Sequence, residues 1–242
     1  MSIWVQYIRK GNYTMDYEKN RRYFTPVTYG GPTFFIIVSL VLFAITYFGK
    51  NYWCALVGVV LFALSILWII SKKKKIVSDQ EYDMSVAQEL NNMKERALSR
   101  LGIDEDEVKE IEPIAFDSYS FEGAQCGKIG KDGKWRTSKY KCIMMFFSAG
   151  EIHCYTYHFD TIMDQKTEST DVYFYRDVIS VSTASESVSA FGMNNIKREY
   201  LKIVTTGGTS VSFSLRDDDG EKVQRSINAM RALLREKKQV MQ

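Results

Sequence analysis

Both histidines and two of the four cysteines lie close together in the sequence, and such residues can bind zinc or form nucleophile–base pairs. They are Cys142, His153, Cys154 and His158. A hairpin that turns at Ala149-Gly150 would pair Met145 with Cys154 and place Cys142 on the opposite face of the sheet. Two sulfurs on opposite faces cannot bind one metal ion, and the adjacent His153 and Cys154 also point to opposite faces. We therefore expect structural roles for these side chains, with no metal site and no catalytic cysteine.

A basic loop between two predicted strands is the second candidate for chemistry, and it contains one acid, Asp132. Its six cations are Lys128, Lys131, Lys134, Arg136, Lys139 and Lys141. The glycines among them do not form a phosphate-binding loop, because Lys128 stands in place of the first required glycine and Trp135 in place of Ser or Thr. Residues 131–134 instead have the composition of a hairpin turn. The charge density favours an anionic ligand or an acidic lipid surface, and a solvated hairpin is the alternative.

The remaining polar residues indicate neither an enzyme nor a cofactor. The acidic run 217–219 lacks the alternating ligand spacing of a calcium loop, so we expect it at the start of a helix. The net charge of +3 is too small to indicate a nucleic-acid partner. All four cysteines are expected to be reduced, as in a cytoplasmic domain.

Two long apolar runs near the N-terminus predict transmembrane helices at 32–48 and 52–70. At the helical rise per residue they extend roughly 25–29 Å, close to the hydrocarbon thickness of a bilayer. The link at 49–51 has the composition of a tight turn, so the two helices are expected to be antiparallel neighbours. A pair of buried core helices is the alternative, but two apolar stretches of this length are hard to cover in a small soluble protein.

Basic residues flank the two spans at their outer ends, and this pattern predicts the orientation of the hairpin. Arg21 and Arg22 precede the first span, whereas the link offers only Lys50. The second span is followed by Lys72, Lys73, Lys74 and Lys75. We therefore expect a multi-pass protein of the plasma (inner) membrane with both termini in the cytoplasm. The arginines and lysines beside the spans are expected to contact anionic lipid head groups, unless they serve only to fix the topology.

Hydrophobic periodicity and turn residues predict the elements of the remaining chain. A helix is expected at 83–101, a long loop at 185–195 and a final amphipathic helix at 218–238, with Ile227 and Met230 on its apolar stripe. Seven strands are expected at 113–121, 138–148, 151–159, 168–175, 177–184, 196–205 and 209–215.

This order of seven strands and one helix is that of a pleckstrin-homology (PH) fold. The segment 175–181, YRDVISV, resembles the y-x-D-I-x-x-V strand of bacterial PH-like and GRAM-like domains, which are often carried on a two-helix membrane hairpin. The resemblance implies a membrane α-helical hairpin plus an α+β cytoplasmic domain, a PH-like seven-stranded barrel with a C-terminal helix. It also implies head-group binding in the loop between the first two strands, where Lys134-Trp135-Arg136 has the Lys-x-Arg spacing of PH domains.

These expectations divide the chain into four parts. They are an N-terminal cytoplasmic segment (1–31), two transmembrane helices (32–70), a basic juxtamembrane segment with a helical linker (71–111) and a PH-like domain (112–242). The expected function is that of a membrane-anchored, non-enzymatic binding, scaffold or sensing module that has a protein partner or a second copy of itself.

The alternative function is that of a subunit in an oligomeric membrane assembly, either channel-like or part of a transport complex. The PH-like domain would then be its cytoplasmic part. The spans contain no ionisable side chain apart from Cys54, which disfavours a transporter or selective channel. A homo-oligomeric pore lined by Ser39, Thr46 or Ser65 remains an alternative.

Overall fold

The structure, a computed structural model, describes residues 14–49, 52–208, 210–215 and 220–240. These residues fall into two compact units. The first, here called the helical unit, is Glu18–Tyr82. The second, here called the sheet unit, combines the described residues before Glu18 with those from Asp83 onward.

The described residues form six α-helices. They are α1 (Tyr17–Phe24), α2 (Gly30–Gly49), α3 (Tyr52–Lys73), α4 (Asp79–Glu89), α5 (Met93–Leu101) and α6 (Gly220–Val240). Helices α2 and α3 are long and apolar enough to cross a membrane, as the sequence predicts. Only 11% of the most apolar window of each is buried, whereas a core helix of a soluble protein would be mostly covered.

Helices α2 and α3 pack against each other as an antiparallel pair. Lys72 donates to the Thr28 carbonyl, the Trp68 ring lies beside Gly31, and Gly58 packs on Ser39 and Leu42. The contacts run in opposite directions along the two helices, so the predicted antiparallel arrangement is confirmed within this unit. A Cβ at Gly58 would lie 3.4 Å from the Ser39 carbonyl oxygen, which shows how closely the two backbones approach. The predicted turn at 50–51 lies outside the described residues.

The segments that flank the helical pair also pack together within the helical unit. The ring of Tyr23 stacks on that of Tyr82, with centroids 4.3 Å apart and an interplanar angle of 8°. The Tyr23 hydroxyl donates to Asp79 Oδ1 at 2.8 Å, and Lys19 lies 3.3 Å from Glu81 Oε1. The start and the end of this unit therefore lie side by side.

The sheet unit contains the nine described strands, which form three antiparallel sheets. They are β1 (Ile114–Ser120), β2 (Gly127–Ile129), β3 (Trp135–Thr137), β4 (Lys139–Phe147), β5 (Glu151–Asp160), β6 (Lys166–Phe174), β7 (Val178–Ala190), β8 (Met193–Thr205) and β9 (Ser210–Ser214). The strand orders are β1-β4-β5-β6, β2-β3 and β7-β8-β9. All seven predicted strands have counterparts here, and the short β2–β3 hairpin lies within the predicted basic loop.

The strands do not close into the predicted seven-stranded barrel. A 3₁₀ turn at Tyr175–Asp177 redirects the chain between β6 and β7, and these two edge strands do not pair. The architecture that the described residues establish is therefore two apolar helices followed by a β-rich domain with a C-terminal helix.

The central strands β4 and β5 of the four-stranded sheet are covered on both faces, because they carry apolar side chains on each side. The predicted pairing of Met145 with Cys154 is confirmed, and so is the placement of Cys142 on the opposite face. The first core lies between this sheet, the β7-β8-β9 sheet and α6, whose Ile227 and Met230 are fully buried as predicted.

The second core lies on the other face of the same sheet. It combines aromatic side chains of β4 and β5 with apolar residues of α4, α5 and the segment before α1, including Val86, Ala97 and Met15. Residues 83–111, predicted as a linker, are therefore an integral layer of the domain, because without them this aromatic face would be exposed to water.

Two predicted elements differ in the structure. The helix expected at 83–101 is broken into α4 and α5, because Asn92 adopts a left-handed conformation with φ 59°. The loop expected at 185–195 is a continuation of the β7–β8 hairpin, which turns at Phe191-Gly192. A Phe-Gly turn lacks the Asn or Asp that usually marks such hairpins, so no strong turn signal is present at this position in the sequence.

Candidate functional site

The basic loop folds into the β2–β3 hairpin, and residues 131–134 form its predicted turn. Gly130 N–H donates to the Lys134 carbonyl at 2.9 Å, and Gly133 adopts φ +76°, a conformation that suits glycine. Lys131 and Lys134 are exposed at the turn, and Lys128 is half-buried on β2. These three lysines share one short element, as the sequence predicts.

Arg136 belongs to an internal ion pair and does not join the lysines at the surface. Its side chain is 4% exposed, and its guanidinium lies 2.6 Å from Asp83 and 2.8 Å from Asp132. The Tyr119 hydroxyl donates to the same Asp83 at 2.6 Å. Hydrogen bonds from Arg136 hold the pKa of the Asp132 carboxyl well below its usual range. The Lys-x-Arg spacing predicted that Arg136 binds an anionic ligand. Its guanidinium instead pairs with two carboxylates of the same unit.

Lys139 and Lys141 form a second basic cluster on the four-stranded sheet. Both lie on the face of β4 that carries Ile143, and Lys141 pairs across the sheet with His158. Burial lowers the pKa of Lys141. Burial, followed by the charge of Lys141, lowers the pKa of His158. These two lysines therefore sit beside the sheet core rather than at the hairpin turn.

The face of the β2–β3 hairpin opposite Lys128 and Arg136 carries an aromatic cluster that the sequence did not predict. Trp135 stacks on Phe191 at the tip of the β7–β8 hairpin, with centroids 6.2 Å apart, and Phe121 lies 5.6 Å from Trp135. A Cβ at Gly127 would come within 2.2 Å of the Phe191 ring, so the ring packs directly on the strand backbone. Phe191 does this in a left-handed conformation with φ 53°, which costs a non-glycine residue about 1–2 kcal/mol.

Together the two hairpin tips form one amphipathic surface, here called the tip surface. Its apolar members are Ile129, Phe191 and Met193, which are 42%, 37% and 48% exposed. Its basic members are Lys131 and Lys134 at the β2–β3 turn, whereas Lys128 pairs with Arg136 on the opposite face of that hairpin. Apolar side chains beside lysines have the composition of surfaces that enter the interfacial region of an anionic bilayer.

The basic residues beside the spans lie on the helical unit. Lys72 donates to the Thr28 carbonyl at 2.6 Å and lies 5.2 Å from the Trp68 ring centroid, so it is held at the end of α3. Lys73, Lys74 and Lys75 are exposed. Arg21 is exposed on α1, and Arg22 pairs with Glu18.

Two of the three hydroxyls considered as pore-lining groups face into the helical pair. Ser39 and Ser65 are 0% and 2% exposed, and each donates to a carbonyl of its own helix. Thr46 makes the same kind of bond to Leu42. Ser39 and Ser65 are therefore not available to line a pore between copies of this pair.

The cysteines and histidines form no metal centre within the part of the chain that the structure describes. Cys142 and Cys154 lie on opposite faces of the sheet, and burial raises the pKa of both thiols far above the usual range. Such thiols are poor nucleophiles, because the thiolate is the reactive form.

The comparisons with known proteins identify no relative. Neither a protein-family model nor a curated protein matches this sequence. The likeness to PH-like domains therefore depends on the order of elements and the sequence of the 175–181 segment alone, and it stays a prediction.

Proposed function

We propose that this protein is a membrane-anchored, non-enzymatic binding module whose PH-like domain engages acidic lipid head groups on the cytoplasmic face of the membrane. The observation that carries this proposal is the tip surface, where Ile129, Phe191 and Met193 are exposed next to Lys131 and Lys134. The apolar tips enter the interface, and the lysines contact phosphate groups. Each lysine close to an anionic leaflet contributes roughly 1 kcal/mol.

The proposal that both ends of the chain lie on one side of the membrane is supported by the residues that form the second core. Met15 precedes the helical pair in the sequence, yet it shares the second core with Val86 and Met93, which follow that pair. When α2 and α3 each cross the bilayer, two crossings return the chain to the side on which it began. The lysines at 72–75 favour the cytoplasm for that side. Both termini of this multi-pass protein are then cytoplasmic.

Flotation of the full-length protein tests this function. The protein is placed in nanodiscs of neutral lipid and mixed with liposomes that contain phosphatidylglycerol or only phosphatidylcholine. We expect co-flotation with the acidic liposomes alone. K131Q/K134Q should weaken it about thirtyfold, because two contacts of roughly 1 kcal/mol each are removed. Binding should also weaken between low and physiological salt.

The matched control is K197Q/K202Q, which removes two exposed lysines of β8 outside the tip surface. This control should float like the natural protein. Replacement of Arg136 is unsuitable, since it would break a buried ion pair. Equal flotation with neutral and acidic liposomes, or an unchanged K131Q/K134Q variant, would rule out the lipid-binding function.

A further inference from the structure

A groove of about 500 Å³ lies between the first residues of β7 and the C-terminal half of α6. One wall is formed by Ile179 and Val181 of the strand, and the other by Arg231, Arg235 and Lys238 of the helix. Ile179 is 58% exposed, so the strand wall presents an accessible apolar side chain. The groove lies entirely within the sheet unit.

The strand wall is an open sheet edge. Strand β7 pairs with β8 on one side, and no described strand pairs with its other side. Arg231 Nε donates to the Val181 carbonyl at 3.1 Å, so this carbonyl points away from β8 and toward the groove. In an antiparallel strand the N–H and C=O of one residue point to the same side, so the Val181 N–H also points there. The edge thus offers backbone donors and acceptors beside an apolar side chain.

The helix wall is cationic. Arg231, Arg235 and Lys238 recur at spacings of four and three, which places them on one face of α6. Within the described residues none of these three forms an ion pair, whereas the neighbouring Lys237 pairs with Glu110 at 2.9 Å. The strand wall from Val178 to Val181 contains no acid. The groove therefore combines an open backbone edge with uncompensated positive charge.

We propose that this groove binds an extended acidic peptide segment of a protein partner, which adds as a strand to the edge of β7. The peptide backbone pairs with β7, one apolar side chain packs on Ile179, and carboxylates meet Arg235 and Lys238. Main-chain hydrogen bonds supply affinity in such strand addition, and alternate side chains supply specificity. Arg231 releases the Val181 carbonyl and turns to the incoming carboxylate. This site is separate from the tip surface and does not depend on lipid binding.

Peptide binding to the full-length protein in a neutral detergent tests the proposal. The ligand is a short fluorescein-labelled peptide of alternating glutamate and valine, and its fluorescence anisotropy is measured against protein concentration. A peptide with lysine in place of glutamate is the charge control. We expect saturable binding of the acidic peptide only, and R235E/K238E should weaken it at least about tenfold. The variant R225E alters the same helix outside the groove and should bind normally.

A second measurement separates strand addition from general charge attraction. Two further peptides carry methyl groups on one or the other alternate set of backbone nitrogens, which removes those donors. One of them should lose binding and the other should keep it, because only one edge of the peptide faces β7. Equal binding of both methylated peptides overturns strand addition. Unchanged binding to R235E/K238E overturns the site. Loss of acidic-liposome flotation in R235E/K238E without loss of peptide binding also overturns it, because the groove would then serve a membrane.

Discussion

At the scale of single residues, neighbours of the same charge have different environments. Lys134 is exposed at a turn, whereas Arg136 is enclosed by Asp83 and Asp132. The sequence predicted a high density of positive charge in this loop. It did not predict that Arg136 is buried while Lys134 is exposed, because Asp83 is 53 positions away in the sequence. The partner of a buried charge is set by tertiary packing, which local spacing does not encode.

His158 should make the stability of the sheet unit depend on pH. Burial and the charge of Lys141 lower its pKa below the unfolded value of about 6.5, so the folded protein favours the neutral imidazole. The stabilisation is complete above the unfolded pKa of about 6.5 and is lost as the pH falls from there through the lower pKa of the folded protein, since the unfolded chain binds the proton more readily in that range. We expect the unfolding temperature to fall more steeply below this pH in the natural protein than in H158Q.

The measurement is thermal unfolding in detergent at a series of pH values, monitored by near-ultraviolet circular dichroism. K141M removes the charge paired with His158 and should also flatten the dependence. H153Q removes the other histidine and leaves His158 in place, so most of the steep dependence should remain. A dependence that is as steep in H158Q as in the natural protein would show that other groups cause it.

At the scale of helices and strands, the hydrophobic periods in the sequence predicted which side chains are buried. They did not predict where a helix breaks or where a hairpin turns. The stripe of α6 and the alternation of β4 and β5 predicted which side chains are buried, because one face of each element must leave water. The break at Asn92 depends on one left-handed residue, and the Phe191-Gly192 turn depends on packing against Trp135. The sequence therefore did not predict the tip surface, although it did predict that the lysines of this surface share one loop.

Met230 tests the packing of α6. Its side chain is fully buried in the first core, so M230A should lower the free energy of unfolding by about 2–5 kcal/mol through lost contacts and a cavity. E236A changes an exposed residue of the same helix and should change the free energy of unfolding by less than about 0.5 kcal/mol. Urea unfolding in detergent provides the measurement. If M230A unfolds like the natural protein, α6 does not stabilise the sheets.

At the scale of the whole molecule, the sidedness of the chain can be tested by cysteine labelling in intact cells. A membrane-impermeant maleimide should label K50C, at the predicted outer turn, only from outside. It should reach K202C, exposed on β8, only after the cells are opened. Both variants should label fully in opened cells, which controls for reactivity. Labelling of K202C in intact cells would invert the proposed topology.

The sequence predicted the spans, the seven strands and the final helix, because each depends on composition or period within one segment. It did not predict that the helices from Asp83 onward cover a sheet face, since those helices contain enough polar residues to resemble a linker. Nor did it predict open sheets in place of a barrel, because closure depends on whether the edge strands of the two larger sheets pair, β6 with β7 and β1 with β9.

The shared core of Met15 and the later helices has a consequence for the order of biosynthesis. The ribosome completes Met15 long before Val86, so this core cannot form until the helical pair and the residues after it have been synthesised. Closing such a long loop costs conformational entropy. Under the proposed topology, insertion of α2 and α3 would reduce that cost in advance, because the Tyr23–Tyr82 stack joins the two ends of the helical unit. Folding of the sheet unit should therefore follow membrane insertion, and a chain whose hairpin fails to insert should expose its aromatic second core to chaperones and proteases.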